Sequence, residues 1–325
     1  MRELLHLLIL LAVGGGLLLV ILTVGIVATA IRPRRETAAW AVARGRPVDP
    51  ADLGWEHAAW NVGRPGDVSL RGWTIDAPGG RPPGTPTVDR MVLAHGWYRS
   101  RRALLDRVEP MARHASRLVM ADARGHGESG GSSTLGRREP GDLLAIVDAT
   151  APEDGSADRV LLVGWSLGAT AAVQAAADAM ATDPDRSDLV GVVAIAPVTN
   201  LRMTLDARIR QFDLPPWLLG PLVRLTLRVL GAWPAPLVPD AIGVPVLVVH
   251  GADDEICPAR DVQRWVDASA AAGADVQLHL ILGAGHDEPE RGDPEGVAAA
   301  LADFAARTRG AGAPAITPEP ETAGP

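Results

Sequence analysis

The stretch from Val160 to Ala172 constrains the fold more than any other. The apolar run Val160-Leu161-Leu162-Val163 reads as a buried strand. Gly164-Trp165-Ser166-Leu167-Gly168 closes it, and the Ala-rich Ala169-Thr170-Ala171-Ala172 starts a helical pattern at once. Strand, Gly-x-Ser-x-Gly and helix in that order make a nucleophile elbow, a sharp turn that lifts a serine hydroxyl above the end of a sheet. Gly164 and Gly168 fall where the turn is too tight for side chains. A bare Gly-x-Ser-x-Gly is common by chance as an ordinary turn; its flanks make it specific here.

A serine hydroxyl is a weak nucleophile at neutral pH. It needs a base, and the base needs an orienting carboxylate. Both lie downstream, in the order Ser, Asp, His. Val244-Pro245-Val246-Leu247-Val248-Val249 reads as a further buried strand and runs through His250-Gly251 into the acidic loop Ala252-Asp253-Asp254. Val276 to Leu282 alternates as another strand and ends in Gly283-Ala284-Gly285-His286. Each candidate follows a strand, where loops gather at one end of a parallel sheet. His286 would take the Ser166 proton and return it to the leaving group, while Asp253 or Asp254 held the imidazole in the right tautomer.

With Met91-Val92-Leu93-Ala94-His95-Gly96-Trp97 and Gly125-His126-Gly127, these motifs resemble the α/β-hydrolase superfamily over roughly residues 55 to 308. The resemblance implies an α/β fold, with a mostly parallel central sheet, helices on both faces and a small helical cap. In that family the acid often lies four residues after the His of a strand-ending His-Gly. Counted from His250 this is Asp254, with Asp253 the alternative. The family's other acid position, after the strand that follows the elbow helix, reads Pro197-Val198-Thr199-Asn200, with no carboxylate before Asp206. The resemblance also implies an oxyanion hole built from the backbone N–H groups of Trp97 and Leu167. It makes Gly125-His126-Gly127 a structural loop.

The remaining chemistry-bearing residues form no second site in the sequence. His95 and His250 close strands and are expected to bond loop backbone, and His279 to be packed or solvated. There is no His-Glu-x-x-His and a single cysteine, so neither a metal nor a cofactor is implied. That cysteine, Cys257, reads as a small buried residue. A net charge of −8 argues against nucleic acid as a partner.

From Leu4 to Ile31 the chain is almost wholly apolar. As a helix, about 28 residues would reach ~42 Å against roughly 30 Å of bilayer hydrocarbon, enough to span with tilt. A cleaved signal peptide competes, since Ala28-Thr29-Ala30 fits its site, but the apolar run is about twice a usual signal core. The expectation is a single-pass membrane anchor. Arg32, Arg34 and Arg35 after the span, against Arg2 and Glu3 before it, put the catalytic domain in the cytoplasm.

The chain therefore divides into an anchor and basic flank (1–35), a linker (36–54), a hydrolase domain (55–309) with a cap insertion at about 199–242, and a disordered tail (310–325). Within the domain a hairpin comes first and a Pro/Gly loop covers 78–86. Strands are then expected near 89–95, 117–122, 159–164, 189–195, 244–250 and 276–282. Helices are expected near 100–114, 140–150, 167–181, 258–272 and 294–308. The cap region Leu214 to Leu230 is very apolar, and its prolines and arginines argue against a second span. These readings combine into a membrane-anchored serine hydrolase that cleaves an ester-type acyl bond through an acyl-enzyme, on a small-molecule or lipid-like acyl substrate. The same three side chains would equally serve a thioesterase, a peptidase or an acyltransferase. From a different class, a membrane-tethered binding scaffold could keep the fold without the chemistry.

Overall fold

The computed structural model describes residues 1–76, 88–156, 158–234, 237 and 242–310. The 78–86 loop and the 311–325 part of the tail lie outside them. A long helix, α1 (Arg2–Ile31), leads into a short helix, α2 (Ala38–Val42). Then follow β1 (His57–Arg64), β2 (Val68–Asp76), β3 (Val88–Ala94), α3 (Arg102–Leu105), α4 (Glu109–Ala112), β4 (Ala115–Ala121), α5 (Glu139–Ala149), β5 (Val160–Trp165), α6 (Leu167–Thr182) and β6 (Leu189–Ile195). The cap helices α7 (Leu201–Arg210) and α8 (Pro216–Val229) come next, then β7 (Val246–Gly251), α9 (Ala259–Ala271), β8 (Val276–Ile281) and α10 (Pro294–Gly310).

The strands form one eight-stranded sheet in the order β1-β2-β4-β3-β5-β6-β7-β8. The β1–β2 and β2–β4 pairings are antiparallel and every later pairing is parallel. Successive residues of a strand point to opposite faces. Val92, Leu162, Val192 and Val248 enter a core covered by α5, α6 and α9. Their neighbours Leu93, Val163, Val193 and Val249 enter a second core under α3, α4 and α10. Burial on both faces is why these strands read as unbroken apolar runs.

Two regions differ from expectation. The single helix foreseen at 100–114 is two short pieces parted at 106–108, and Arg101 and Arg102 turn inward at the start of the first. Asp122 is fully buried. It accepts the Arg101 N–H at 2.7 Å and the Glu128 N–H at 2.8 Å, and it pairs with the Arg101 guanidinium. The Arg101 guanidinium also lies 4.3 Å over the Trp73 ring. Residues 36–54, expected as a linker, dock on the domain. Glu36 is buried and meets Arg99 and Ser100, Arg46 pairs with Asp106 at 3.1 Å, and Arg102 Nε donates to the Val48 carbonyl.

The end of α1 is also built in. Thr23, Val27 and Ala30 are buried, and α1 joins Leu205, Leu219, Val223 and Leu227 of the cap in one apolar cluster. The last carbonyls of a helix lack helical partners, yet the three that follow Ala28 here are satisfied from outside the helix. Ala28 accepts from the Arg32 N–H, Thr29 from the Tyr98 hydroxyl, Ala30 from the Trp97 indole and Ile31 from the Ser133 N–H.

Replacing Asp122 by Ala removes the hub of the loop after β4 and leaves Arg101 buried without it. Denaturant unfolding of the full chain in detergent should show a loss of about 3–5 kcal/mol.

Candidate active site

Ser166 alone makes the turn between β5 and α6. Its φ of 53° and ψ of −117° are a conformation that non-glycine residues rarely adopt, costing on the order of 1–3 kcal/mol. Neighbours hold it there. A Cβ on Gly164 would strike the Gly168 carbonyl, and one on Gly168 would strike the carbonyls of Ala94 and His95. The Ser166 N–H donates to the Ile195 carbonyl at 2.8 Å. On the preceding residue, the Trp165 indole donates to Glu290 at 3.0 Å.

The loops after β7 and β8 bring the other two candidates to this hydroxyl. His286 Nε2 lies 2.9 Å from Ser166 Oγ, and His286 Nδ1 lies 2.7 Å from Asp254 Oδ2. A carboxylate accepts, so Nδ1 carries the proton and the Nε2 lone pair faces the hydroxyl. Asp254 is buried, and its other oxygen accepts the N–H groups of Ile256 at 2.8 Å and Cys257 at 2.7 Å. Asp253, one residue earlier, is exposed. Burial disfavours a charged His286 ring, but the Asp254 bond and the adjacent Cys257 thiol outweigh it and raise the pKa above the usual 6.5.

The loop after β3 approaches from the other side. A Cβ on Gly96 would sit 3.3 Å from Ser166 Cβ and from the Trp165 carbonyl oxygen, a tight fit that a glycine relieves. Trp97 and Leu167 both line the cleft that holds Ser166 and His286. Leu167 opens α6, whose N-terminus carries the positive end of a helix dipole. His95 fastens this loop, with Nδ1–H donating to the Gly96 carbonyl at 2.8 Å and Nε2 accepting the Ala123 N–H at 2.9 Å. Burial lowers the His95 pKa to about 4, so the ring stays neutral and keeps both bonds. His126 is likewise buried with its pKa lowered to about 4, and it packs edge-on against His95 with ring centroids 5.1 Å apart.

One contributor was expected from the sequence as a bond to loop backbone, and two were not read from it. His250 Nε2 donates to the Cys257 carbonyl at 2.8 Å and so braces the turn that carries Asp254; its pKa is lowered, first by burial. Cys257 itself, beyond its small size, supplies a backbone donor to Asp254. The third is the contact of Trp97 and Tyr98 with the end of α1. Its signal in the sequence is faint, a pair of aromatic donors beside a glycine loop. Asp254, Cys257 and His286 bring donor atoms within 4.8 Å of one another, a set that could hold a soft cation. Such an ion would have to break the Asp254–His286 hydrogen bond.

The cleft at Ser166 is a narrow space of about 40 Å³. It shares Leu135, Leu167, Val198 and Leu201 with a wider chamber of about 510 Å³ under the cap, which also meets Arg228 and Trp233.

A model of the alpha/beta hydrolase family matches residues 91–300. The uncharacterized protein YqkD of Bacillus subtilis (strain 168) is 31% identical over 154 residues, 45% of this chain and 49% of YqkD. The match thus spans about half the length of that curated relative. Among solved structures, the esterase Pf2001 of Pyrococcus furiosus aligns with a TM-score of 0.65 at 22% identity, covering 86% of this chain and 98% of the esterase. A putative aryl esterase from Burkholderia cenocepacia aligns at 0.53 and 20% identity, covering 78% of this chain and all of the other (100%). At these identities the likeness is one of fold.

A base must be neutral to accept a proton, so modification of Ser166 by a fluorophosphonate should weaken as pH falls through the His286 pKa. The midpoint of that loss should lie above 6.5 and move down in Asp254→Asn. Asp254→Asn should also slow labelling about a thousandfold or more, and Asp253→Asn should leave it near wild type. Equal effects of the two substitutions would refute the assignment of the acid.

Proposed function

The chain belongs to the alpha/beta hydrolase family, and on that premise we propose that it is a membrane-anchored serine hydrolase that cleaves an ester-type acyl bond. The observation that carries the reading is the hydrogen-bonded row Ser166–His286–Asp254, with steps of 2.9 Å and 2.7 Å, at a strained elbow.

In the proposed reaction Ser166 Oγ attacks the carbonyl carbon while His286 Nε2 takes the hydroxyl proton. The carbonyl oxygen gains the negative charge and is held by the N–H groups of Trp97 and Leu167. Asp254 stabilises the imidazolium through Nδ1–H. Collapse breaks the bond to the alcohol oxygen, which leaves with the proton from His286. Water then attacks the acyl-Ser166, His286 takes its proton, and a second collapse returns that proton to Ser166 and frees the carboxylic acid. No step calls for a metal or a redox group.

An ester substrate is favoured by the activity named for the Pyrococcus furiosus and Burkholderia cenocepacia structures. A retained anchor is supported by α1, which is long and apolar enough to cross a membrane. A cut after Ala30 would remove the carbonyls that Trp97 and Tyr98 bond. The excess of arginine at 32, 34 and 35 supports a cytoplasmic catalytic domain.

Purified full-length protein should hydrolyse acyl esters faster than matched amides, with Ser166→Ala lowering turnover about 10⁴-fold or more. Acyl groups moved onto an added alcohol in preference to water would identify an acyltransferase instead. Folded wild-type protein that neither turns over nor reacts with a fluorophosphonate would favour the binding scaffold. Activity should stay with membranes through carbonate extraction, whereas soluble protein starting near Ile31 would show cleavage.

A further inference from the structure

Helix α8 has two apolar faces. Leu219, Val223 and Leu227 form the buried row that meets the end of α1 and the cap core. On the far side Leu222, Leu225 and Val229 are exposed, Leu225 by 59% and Val229 by 78%. At 3.6 residues per turn these three lie within about 60° of arc. Phe212 and Trp217, at the approach to the helix, are 71% and 78% exposed, and Leu230, at its end, 55%. A cap helix that faced water would carry polar residues there. The buried row of the same helix packs in one cluster with α1, whose own outer surface is apolar along most of its length.

The length of α1 decides what covers the stripe. Residues 19 to 31 pack on the protein, with Leu19, Leu22 and Ile26 against the cap cluster and Thr23, Val27 and Ala30 buried. The free part, Leu4 to Leu18, is 15 residues and reaches only ~22 Å, short of the roughly 30 Å of hydrocarbon that a span must cross. About five more residues are needed, so the span must run on through Leu19, Leu22 and Thr23. Those residues are already packed on the cap, and the part of α8 beside them therefore sits at membrane depth.

We propose that the outer face of α8, carried by Leu222, Leu225 and Val229, is seated in the lipid bilayer beside α1. The proposal rests on α1 being a retained membrane span. Trp217, exposed at the start of the helix, falls on the side of Arg224 rather than on the stripe, so the seating brings it to the headgroup level, where tryptophan settles, and no deeper. Arg224 and Arg228 fall on a different side of α8, Arg224 paired with Asp206 at 2.8 Å and Arg228 stacked on Trp233 at 4.8 Å. Seating the stripe therefore buries no unpaired charge.

The test uses the full chain, with Cys257→Ser as background, reconstituted in phosphatidylcholine–phosphatidylglycerol vesicles. Spin labels are placed one at a time on cysteines introduced at Leu225, Val229, Leu11 (mid-span) and Arg264 (exposed on α9), and collisions with oxygen and a water-soluble nickel chelate are measured. Labels at 225 and 229 should resemble the label at 11, rich in oxygen and about tenfold less accessible to nickel than the label at 264. Nickel reaching 225 and 229 as freely as 264, while 11 stays shielded, would overturn the seating and leave the anchor intact. Nickel reaching 11 as well would overturn both. In the unlabelled chain, vesicles of brominated phosphatidylcholine should quench part of the tryptophan emission, and Trp217→Phe should remove much of that quenching; an unchanged quenched fraction would count against the proposal even if a labelled variant failed to fold.

Discussion

Ser166 is held in a backbone conformation that its side chain disfavours, and the surrounding structure is what makes that tenable. Gly168 lies against the carbonyls of Ala94 and His95, and Gly164 against Gly168. Those approaches require β3, β5 and β6 to stand in the register observed, with Ala94 beside Gly164 and Gly164 beside Ala194. A slip of one residue would turn each strand's inward side chains to the other face. It would also move a carbonyl into or away from the elbow. Position at the serine is thus fixed by the two apolar cores that fix the sheet, more than by bonds to the serine itself.

Electrostatics then separate four buried or half-buried histidines into two kinds. His95, His126 and His250 hydrogen-bond to backbone carbonyls, and burial keeps them neutral. His286 faces a carboxylate, and its pKa moves the other way. His250 Nε2 also lies 3.4 Å from Asp254, but its N–H is taken by the Cys257 carbonyl at 2.8 Å. Asp254 is left with two backbone donors on one oxygen and His286 on the other. A buried carboxylate satisfied in this way is fixed in place and orients a single ring.

The parallel strands were legible because a strand buried on both faces leaves an unbroken apolar run, and the elbow because its glycines have a steric cause. The choice between Asp253 and Asp254 was not legible from the residues alone. It is set by a turn in which the Asp254 carboxylate folds back onto the N–H groups of Ile256 and Cys257, a habit of aspartate in loops. The docked segment 36–54 and the broken helix at 100–114 were missed for a related reason. Glu36, Arg46, Arg101 and Arg102 look like surface charges, and their partners are distant in sequence: Arg46 meets Glu288, and Arg101 and Arg102 both meet Glu128. Local composition carries no trace of such pairs.

The least legible feature joins the proposed anchor to the proposed oxyanion loop. A hydropathy profile treats an apolar N-terminal helix as a separate object on a tether. Here its terminal carbonyls are satisfied by Trp97, Tyr98 and Ser133, and its last turns fill a cluster with Leu135, Leu167 and the cap. Removing the helix would strand three polar donors and uncover Leu205, Leu219 and Val223 together. A flexible tether would leave the cleft free to face any direction, whereas a helix bonded to the loop that bears Trp97 fixes the cleft's orientation along the helix axis. If that helix spans a bilayer, the bonds that shape the loop also set the height and tilt of the cleft against the membrane.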